Sequence, residues 1–238
     1  MSTETVTIPA RFCGPPQSAN GGYTAGLLGE LFEGPCEVTL RAPPPLDSAL
    51  TRTRSESRAT LHDGETLLAE AIACADVELE LPAAVSFEQA EAAVAGYPGF
   101  VSHPFPRCFV CGPARSHGDG LTIFTGPVAG RNVVAAPWFA TRDLCSDGAH
   151  VDARFVWAAL DCPSWFGFVA FAAEVPAALL GRLAAKILRA PRLDERCFAV
   201  GWSMGREGRR IACGSQLLTA DGECLAYARS TWVVLKQS

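Results

Sequence analysis

The sequence predicts an α+β protein of two similar halves, each a curled antiparallel sheet wrapping one central helix. Three observations lead there. Short stretches recur in the same order: Leu40-Arg41-Ala42-Pro43-Pro44-Pro45-Leu46-Asp47 aligns, with one gap, with Leu188-Arg189-Ala190-Pro191-Arg192-Leu193-Asp194, and Asp63-Gly64-Glu65-Thr66-Leu67 aligns with Asp221-Gly222-Glu223-Cys224-Leu225. Ordered self-similarity of this kind marks an internal duplication. Each half also carries one apolar segment of helical length without a polar face, Asn20 to Phe32 and Asp152 to Phe171. A helix apolar all round has to be enclosed, and each half offers only its own strands to enclose it. The residues after each segment alternate in polarity, are rich in β-branched types and are punctuated by Asp-Gly turns.

In chain order, the first half spans residues 6 to 85. Its helix over Asn20 to Phe32 is followed by strands over Cys36 to Arg41, Ala49 to His62 and Thr66 to Leu81. Residues 86 to 106 form a linker, in which Ser86-Phe87-Glu88-Gln89 opens a short helix with a serine cap. A Gly/Pro-rich connector runs from Gly96 to Gly120. The second half, residues 107 to 238, repeats the plan with strands over Ala184 to Arg189, Cys197 to Met204, Arg209 to Thr219 and Glu223 to Leu235. Its turns fall at Gly205-Arg206-Glu207-Gly208 and Ala220-Asp221-Gly222, and roughly ten extra residues between the two landmarks lengthen a hairpin. The two sheets are expected to lie side by side, and association of whole chains into a homo-oligomer is expected because such sheets leave edges that pair.

Composition narrows the function classes. Of 238 residues, 49% are hydrophobic and only 19% charged, which describes a folded chain with a large core. Twenty Lys and Arg against twenty-five Asp and Glu give a net charge of −5, the wrong sign for nucleic acid or an anionic membrane as partner. The first residues show no basic segment followed by an apolar run, so a cytoplasmic location is expected. Phe155 to Ala173 is interrupted by Asp161 and Pro163 and reads as a core helix, not a membrane span. Ten cysteines spread over such a chain read as small buried hydrophobes.

Three segments carry a family resemblance: Asn20-Gly21-Gly22-Tyr23-Thr24-Ala25-Gly26-Leu27-Leu28, Cys108-Phe109-Val110-Cys111-Gly112-Pro113 with Gly118-Asp119-Gly120-Leu121, and Trp157-Ala158-Ala159-Leu160-Asp161. With the repeats they resemble a double hotdog protein of the acyl-CoA thioesterase superfamily. That resemblance implies a tandem hotdog fold, an acyl-CoA or related acyl thioester as substrate, and no cofactor. Fold alone does not fix the activity, because hotdog proteins include hydrolases, dehydratases and non-catalytic acyl binders.

Thioester hydrolysis needs donors for an oxyanion and a carboxylate that activates water or attacks. Gly21 and Gly22 sit at a helix start, where unpaired N–H groups and the positive end of the dipole suit an oxyanion, and Asp161 supplies the carboxylate. In the resemblance the acid lies eight positions after the first glycine of the pair. In the first half that position is Gly29, with Glu30 one step off register; in the second half Asp161 is present but Ala153 and Arg154 replace the glycines. Each half lacks what the other keeps, which implies one composite site per chain, with Asn20, Tyr23 and Trp157 beside it on the substrate. The same glycines would also let a helix pack tightly, and Asp161 could instead cap a second helix beginning at Cys162-Pro163.

His103, Cys108, Cys111 and His117 form a string with the residue types of a zinc site. All four lie in one connector with little chain between the pairs, so they read as packed loop residues with no metal bound. Arg206 and Arg209, with Arg210, are candidates for the phosphates of coenzyme A or else a solvated turn. Three function classes fit the sequence: a thioester hydrolase, a protein that holds an acyl thioester without cleaving it, and, weakened because the Asp, Asn-Pro and His string of hydratases is absent, a hotdog dehydratase.

Overall fold

Polar residues in alternation open the chain as strand β1 (Ser2–Thr7), and the rest of the first half continues as α1 (Gly21–Gly29), β2 (Cys36–Leu40), β3 (Ala49–Arg54), β4 (Arg58–Asp63) and β5 (Thr66–Ala73). Helix α2 (Phe87–Ala93) begins the connection. Then come β6 (Gly126–Pro127), β7 (Val134–Phe139), α3 (Ala153–Val169), β8 (Ala178–Ile187), β9 (Arg196–Glu207), β10 (Arg210–Thr219) and β11 (Cys224–Val234). This computed structural model describes residues 2–116 and 118–236.

The strands form a single sheet in the order β1-β3-β4-β5-β2-β8-β11-β10-β9-β7-β6, in place of the two expected sheets. The join is the antiparallel pairing of β2 with β8, in which Cys36 faces Ala185 and Thr39 faces Arg182. Each of these strands directly follows its half's helix and would otherwise present an unpaired edge, so pairing them removes two edges at once. Away from the seam both halves take one path: first strand at the outside, then helix, then seam strand, then a three-strand meander.

The recurring stretches also take matching shapes. Asp47 and Asp194 both adopt positive φ, 53° and 64°, a conformation that Asp tolerates better than most residues. The carbonyls of Pro44 and Pro191 each accept an N–H just ahead of a helix, from Ala19 at 3.0 Å and Val151 at 2.9 Å.

Local chemistry explains the helix ends. Asn20 Oδ1 accepts the Tyr23 N–H at 2.8 Å and starts α1. Ser86 and Gln89 form a reciprocal capping box on α2. Helix α3 runs unbroken through Pro163. The proline lacks an N–H and loosens the preceding turn, and Ser215 Oγ on β10 donates to the Leu160 carbonyl at 2.6 Å. Asp161 is therefore a mid-helix residue of α3 and does not cap a helix beginning at Cys162. Asp152, at the true N-cap, uses its carboxylate on the Ser146 N–H and hydroxyl.

Helices α1 and α3 pack on each other on one face of the sheet and run in opposite directions, since Gly22 meets Ala158 and Asp161 while Gly26 meets Arg154. Helix α2 covers the other face: alternate residues of β9 divide, with Cys197 and Ala199 in the core below α1 and α3, and Phe198, Val200 and Trp202 packed with Phe87 and Ala90 of α2.

Several boundaries differ from the sequence reading. The expected strand over Ala49 to His62 is two strands turning at Ser55 to Ser57, and the strand from Thr66 stops at Ala73. Strand β9 continues through Gly205, which has φ 125° at a register shift against Ala212 and Cys213, so the turn of that hairpin is Gly208-Arg209. Strands β1, β6 and β7 have no counterpart in the sequence reading.

Candidate functional site

The start of α1 meets the middle of α3 through one carboxylate. Asp161 Oδ2 accepts the Gly22 N–H at 2.8 Å and the Asn20 Nδ2–H at 2.9 Å. The cap decides which way the Asn20 amide faces, because its oxygen is already engaged by Tyr23. Asp161 is 2% exposed, and its second oxygen, Oδ1, has no hydrogen-bond partner among the described residues. Burial pushes its carboxyl up to about 7, against the opposing pull of the Gly22 amide and Asn20.

The two glycines have different duties. Gly22 is where the helices touch: a Cβ there would overlap Asp161 Cβ and lie 2.9 Å from the Trp157 carbonyl oxygen. Its amide is taken by Asp161. The amide of Gly21, first in the helix, has no acceptor among the described residues, and its Cα is walled by Leu180 and Leu40. One oxygen of a buried carboxylate is thus fixed by two donors while the other is free, beside a helix start with one N–H to spare. Such an arrangement can hold or activate a water and polarise a carbonyl.

The remaining sequence candidates go elsewhere. Tyr23 is buried in an aromatic cluster, stacked on Phe12 at a centroid distance of 4.3 Å and edge-on to Phe109. Trp157 turns its ring under Gly29, at the other end of the helix crossing. There Glu30 pairs with Arg52 at 2.7 Å and with Arg154 at 2.9 Å, next to a cavity of about 200 Å³ lined by Gly29, Glu30, Ala153 and Trp157. This second crossing has its acid neutralised where the first has it free. Arg206 and Arg209 are exposed at the β9–β10 tip and bond to the Gly208 and Val234 carbonyls. Arg206 is five strand positions, about 16 Å, beyond Gly201, where α3 crosses β9, and Arg209 lies farther out in the turn, so these arginines are not brought to Asp161.

A residue that the sequence reading passed over lies beside Asp161. The sulfurs of Cys108, Cys111 and Cys162 fall within 4.8 Å of one another, and His103 Nε2 is 3.3 Å from Cys111 Sγ. His117 lies outside the described residues. Near the same place, a surface cavity of about 410 Å³ is lined by Arg11, Cys13, Gly14, Phe105, Arg107 and Arg115. Its Gly14 backbone abuts Asn20, since a Cβ on Gly14 would lie 3.1 Å from Asn20 Cα.

No protein-family model matches the chain, and no curated protein matches its sequence. Solved structures do match over nearly the whole length. The TesB protein of Mycobacterium avium subspecies paratuberculosis is 12% identical, with 98% of this chain and 93% of that one covered and a TM-score of 0.61. The acyl-CoA thioesterase II TesB2 of Mycobacterium marinum is 14% identical, with 99% and 94% covered and a TM-score of 0.58. A hot dog fold protein of unknown function from Alicyclobacillus acidocaldarius is 10% identical, with 99% and 94% covered and a TM-score of 0.60. At these identities the likeness is one of architecture: the chain has the hotdog fold of the TesB-like proteins, laid out over its whole described length.

Proposed function

We propose that the chain is a thioester hydrolase for an acyl-CoA or a related acyl thioester, with one composite site where the start of α1 faces Asp161. The observation that carries this reading is the split duty of the Asp161 carboxylate, with Oδ2 held by Gly22 and Asn20 and Oδ1 unpartnered among the described residues. In this reading Oδ1 takes the proton of an attacking water, or attacks the carbonyl carbon itself, while the thioester oxygen leans on the Gly21 N–H at the positive end of α1. The thiol leaves as thiolate and takes up the proton collected on Asp161; after direct attack, water hydrolyses the acyl–Asp161 anhydride to the free acid and restores the carboxylate. The cavity beside Asn20 offers the approach, and the exposed Arg107 along it suits the phosphates of a coenzyme A carrier better than the distant β9–β10 tip does, while Arg11 and Arg115 are engaged by Asp143 and Asp119 and shape the wall. The other crossing, closed by Glu30 and Arg154, is the degenerate one. The same reading treats residues 6 to 85 and 107 to 238 as two diverged copies of one hotdog unit, which the matching paths and turns support.

One observation favours a second reading, a protein that holds an acyl thioester without cleaving it: Asp161 is only 2% exposed. Assay of the purified protein against acyl-CoAs of graded chain length, with Asp161→Asn in parallel, separates the two. A hydrolase loses roughly a hundredfold or more of its turnover in the variant while binding and melting temperature hold. Saturable binding by calorimetry with no turnover in the wild type would replace the first reading with the second.

A further inference from the structure

The sulfurs next to Asp161 form a site of their own. Cys108 and Cys111 lie in a tight loop closed by the Gly112 N–H donating to the Cys108 carbonyl at 2.9 Å. Only glycine fits that corner, because a Cβ on Gly112 would stand 2.5 Å from Cys108 N and 2.6 Å from its carbonyl oxygen. The third sulfur comes from α3, with Cys162 Sγ 3.8 Å from Cys108 Sγ.

The Cys108–Cys162 separation equals one edge of a zinc tetrahedron, and Cys111 Sγ stands within 4.8 Å of both sulfurs. A disulfide needs its sulfurs about 2.05 Å apart, whereas thiolates on a tetrahedral zinc ion with bonds of about 2.3 Å sit about 3.8 Å from one another. All three cysteines are nearly sealed, at 4%, 3% and 6% exposure, and polar groups converge on them. Asn20 Nδ2 is 3.8 Å from Cys108 Sγ and 4.0 Å from Cys162 Sγ. The Phe105 N–H donates to His103 Nδ1 at 3.0 Å. A neutral His103 ring therefore carries its proton on Nε2, which points it at Cys111 Sγ. Tyr97 Oη donates to the Cys111 carbonyl at 2.8 Å and fixes the loop from behind. The buried cysteines Cys36, Cys197 and Cys213 stand outside this cluster.

We propose that Cys108, Cys111 and Cys162 bind one zinc ion. Three S–H protons pass to solvent as three Zn–S bonds form, and the donors from Asn20 and His103 spread the remaining negative charge. His103 serves as such a donor and not as a ligand while Phe105 holds its Nδ1. The ion clasps the connector to α3. Because Phe109, between the first two ligands, donates its N–H to the Cys13 carbonyl at 2.7 Å, the clasp also fixes the segment leading into α1.

The test is metal analysis of the full chain purified under reducing conditions, with a cobalt(II) titration of the metal-stripped protein. About one zinc per chain is expected, together with sulfur-to-cobalt charge-transfer absorption of the strength of three thiolates. Cys111→Ser and Cys162→Ser should each lose both signals, and Cys213→Ser should keep them. The cobalt spectrum of the wild type decides the matter even if a variant fails to fold. Wild-type protein that retains no zinc and gives no charge-transfer band overturns the proposal, as does a Cys108–Cys111 or Cys108–Cys162 disulfide found by mass spectrometry in freshly reduced and repurified protein.

Discussion

Adding one methyl group at Gly22 tests the helix crossing directly. The new Cβ would overlap Asp161 Cβ and sit 2.9 Å from the Trp157 carbonyl oxygen and 3.0 Å from Ala158 Cα. None of these atoms lies at the end of a flexible side chain, so relief requires α1 and α3 to separate. Overpacking of this kind costs about 1 to 3 kcal/mol, while exchanging glycine for alanine in a helix returns up to about 1 kcal/mol. Three rigid contacts put the cost at the upper end, about 3 kcal/mol, so the net loss for Gly22→Ala is about 2 kcal/mol, which at roughly 2 to 4 °C per kcal/mol for a chain of this size lowers the melting temperature by about 4 to 8 °C. Separation also lengthens the hydrogen bond from the Gly22 N–H to Asp161, so under the proposed hydrolase reading thioester turnover should fall further than the loss of folded protein explains. Gly34→Ala is the control: nothing lies within 4 Å of its added Cβ, and stability should hold within about 0.5 kcal/mol. Chemical denaturation and calorimetry read both. A Gly22→Ala protein that unfolds at the wild-type midpoint refutes the close crossing and the site built on it.

Two further expectations concern stability. Ser215→Ala removes a buried hydrogen bond to the Leu160 carbonyl and should cost about 1 kcal/mol in urea unfolding; a change under about 0.3 kcal/mol would contradict that bond's contribution. Hydrogen bonds from Arg41, and the charges of Arg41 and Arg58, hold the Glu70 carboxyl below its usual range. Its contribution is therefore present above the unfolded value of about 4.3 and is lost as pH falls through the lower folded value. Both arginines are half exposed, so Glu70→Gln should cost about 1 kcal/mol at pH 7 or less. The gap to wild type should close toward pH 3, and a gap that widens on acidification would contradict the pairing.

The sequence makes legible whatever is local. Helix α1 is found within one residue at its start because an asparagine cap precedes an apolar run, and the Gly22 to Asp161 encounter is implied by the two halves lacking complementary groups. Strand β1 escapes because its residues are almost all exposed, so no apolar alternation marks them. Strand β7 escapes because Pro137 breaks the pattern. It is tolerated there because β6 pairs only with Val134 and Ala135, leaving the proline's outer side without a ladder to serve. The single sheet is invisible for a different reason: nothing in β2 or β8 alone says that an edge will meet another edge. Cys162 is missed as a neighbour of Cys108 because helix packing, not spacing, brings them together. Its only local signal is that it directly follows Asp161.

The opposed helices have a consequence for how many ligands one molecule can hold. In a pair of identical subunits a twofold axis copies every choice, so a glycine that opens one crossing opens its mate, and an acid placed in one appears in both. A single continuous chain is released from that rule. Gly22, second residue of α1, leaves room for Asp161, while Arg154, second residue of α3, fills the other crossing and neutralises Glu30. The symmetry that such a fold suggests is thereby broken in its chemistry, and titration with an uncleavable thioester analogue should saturate at one equivalent per chain.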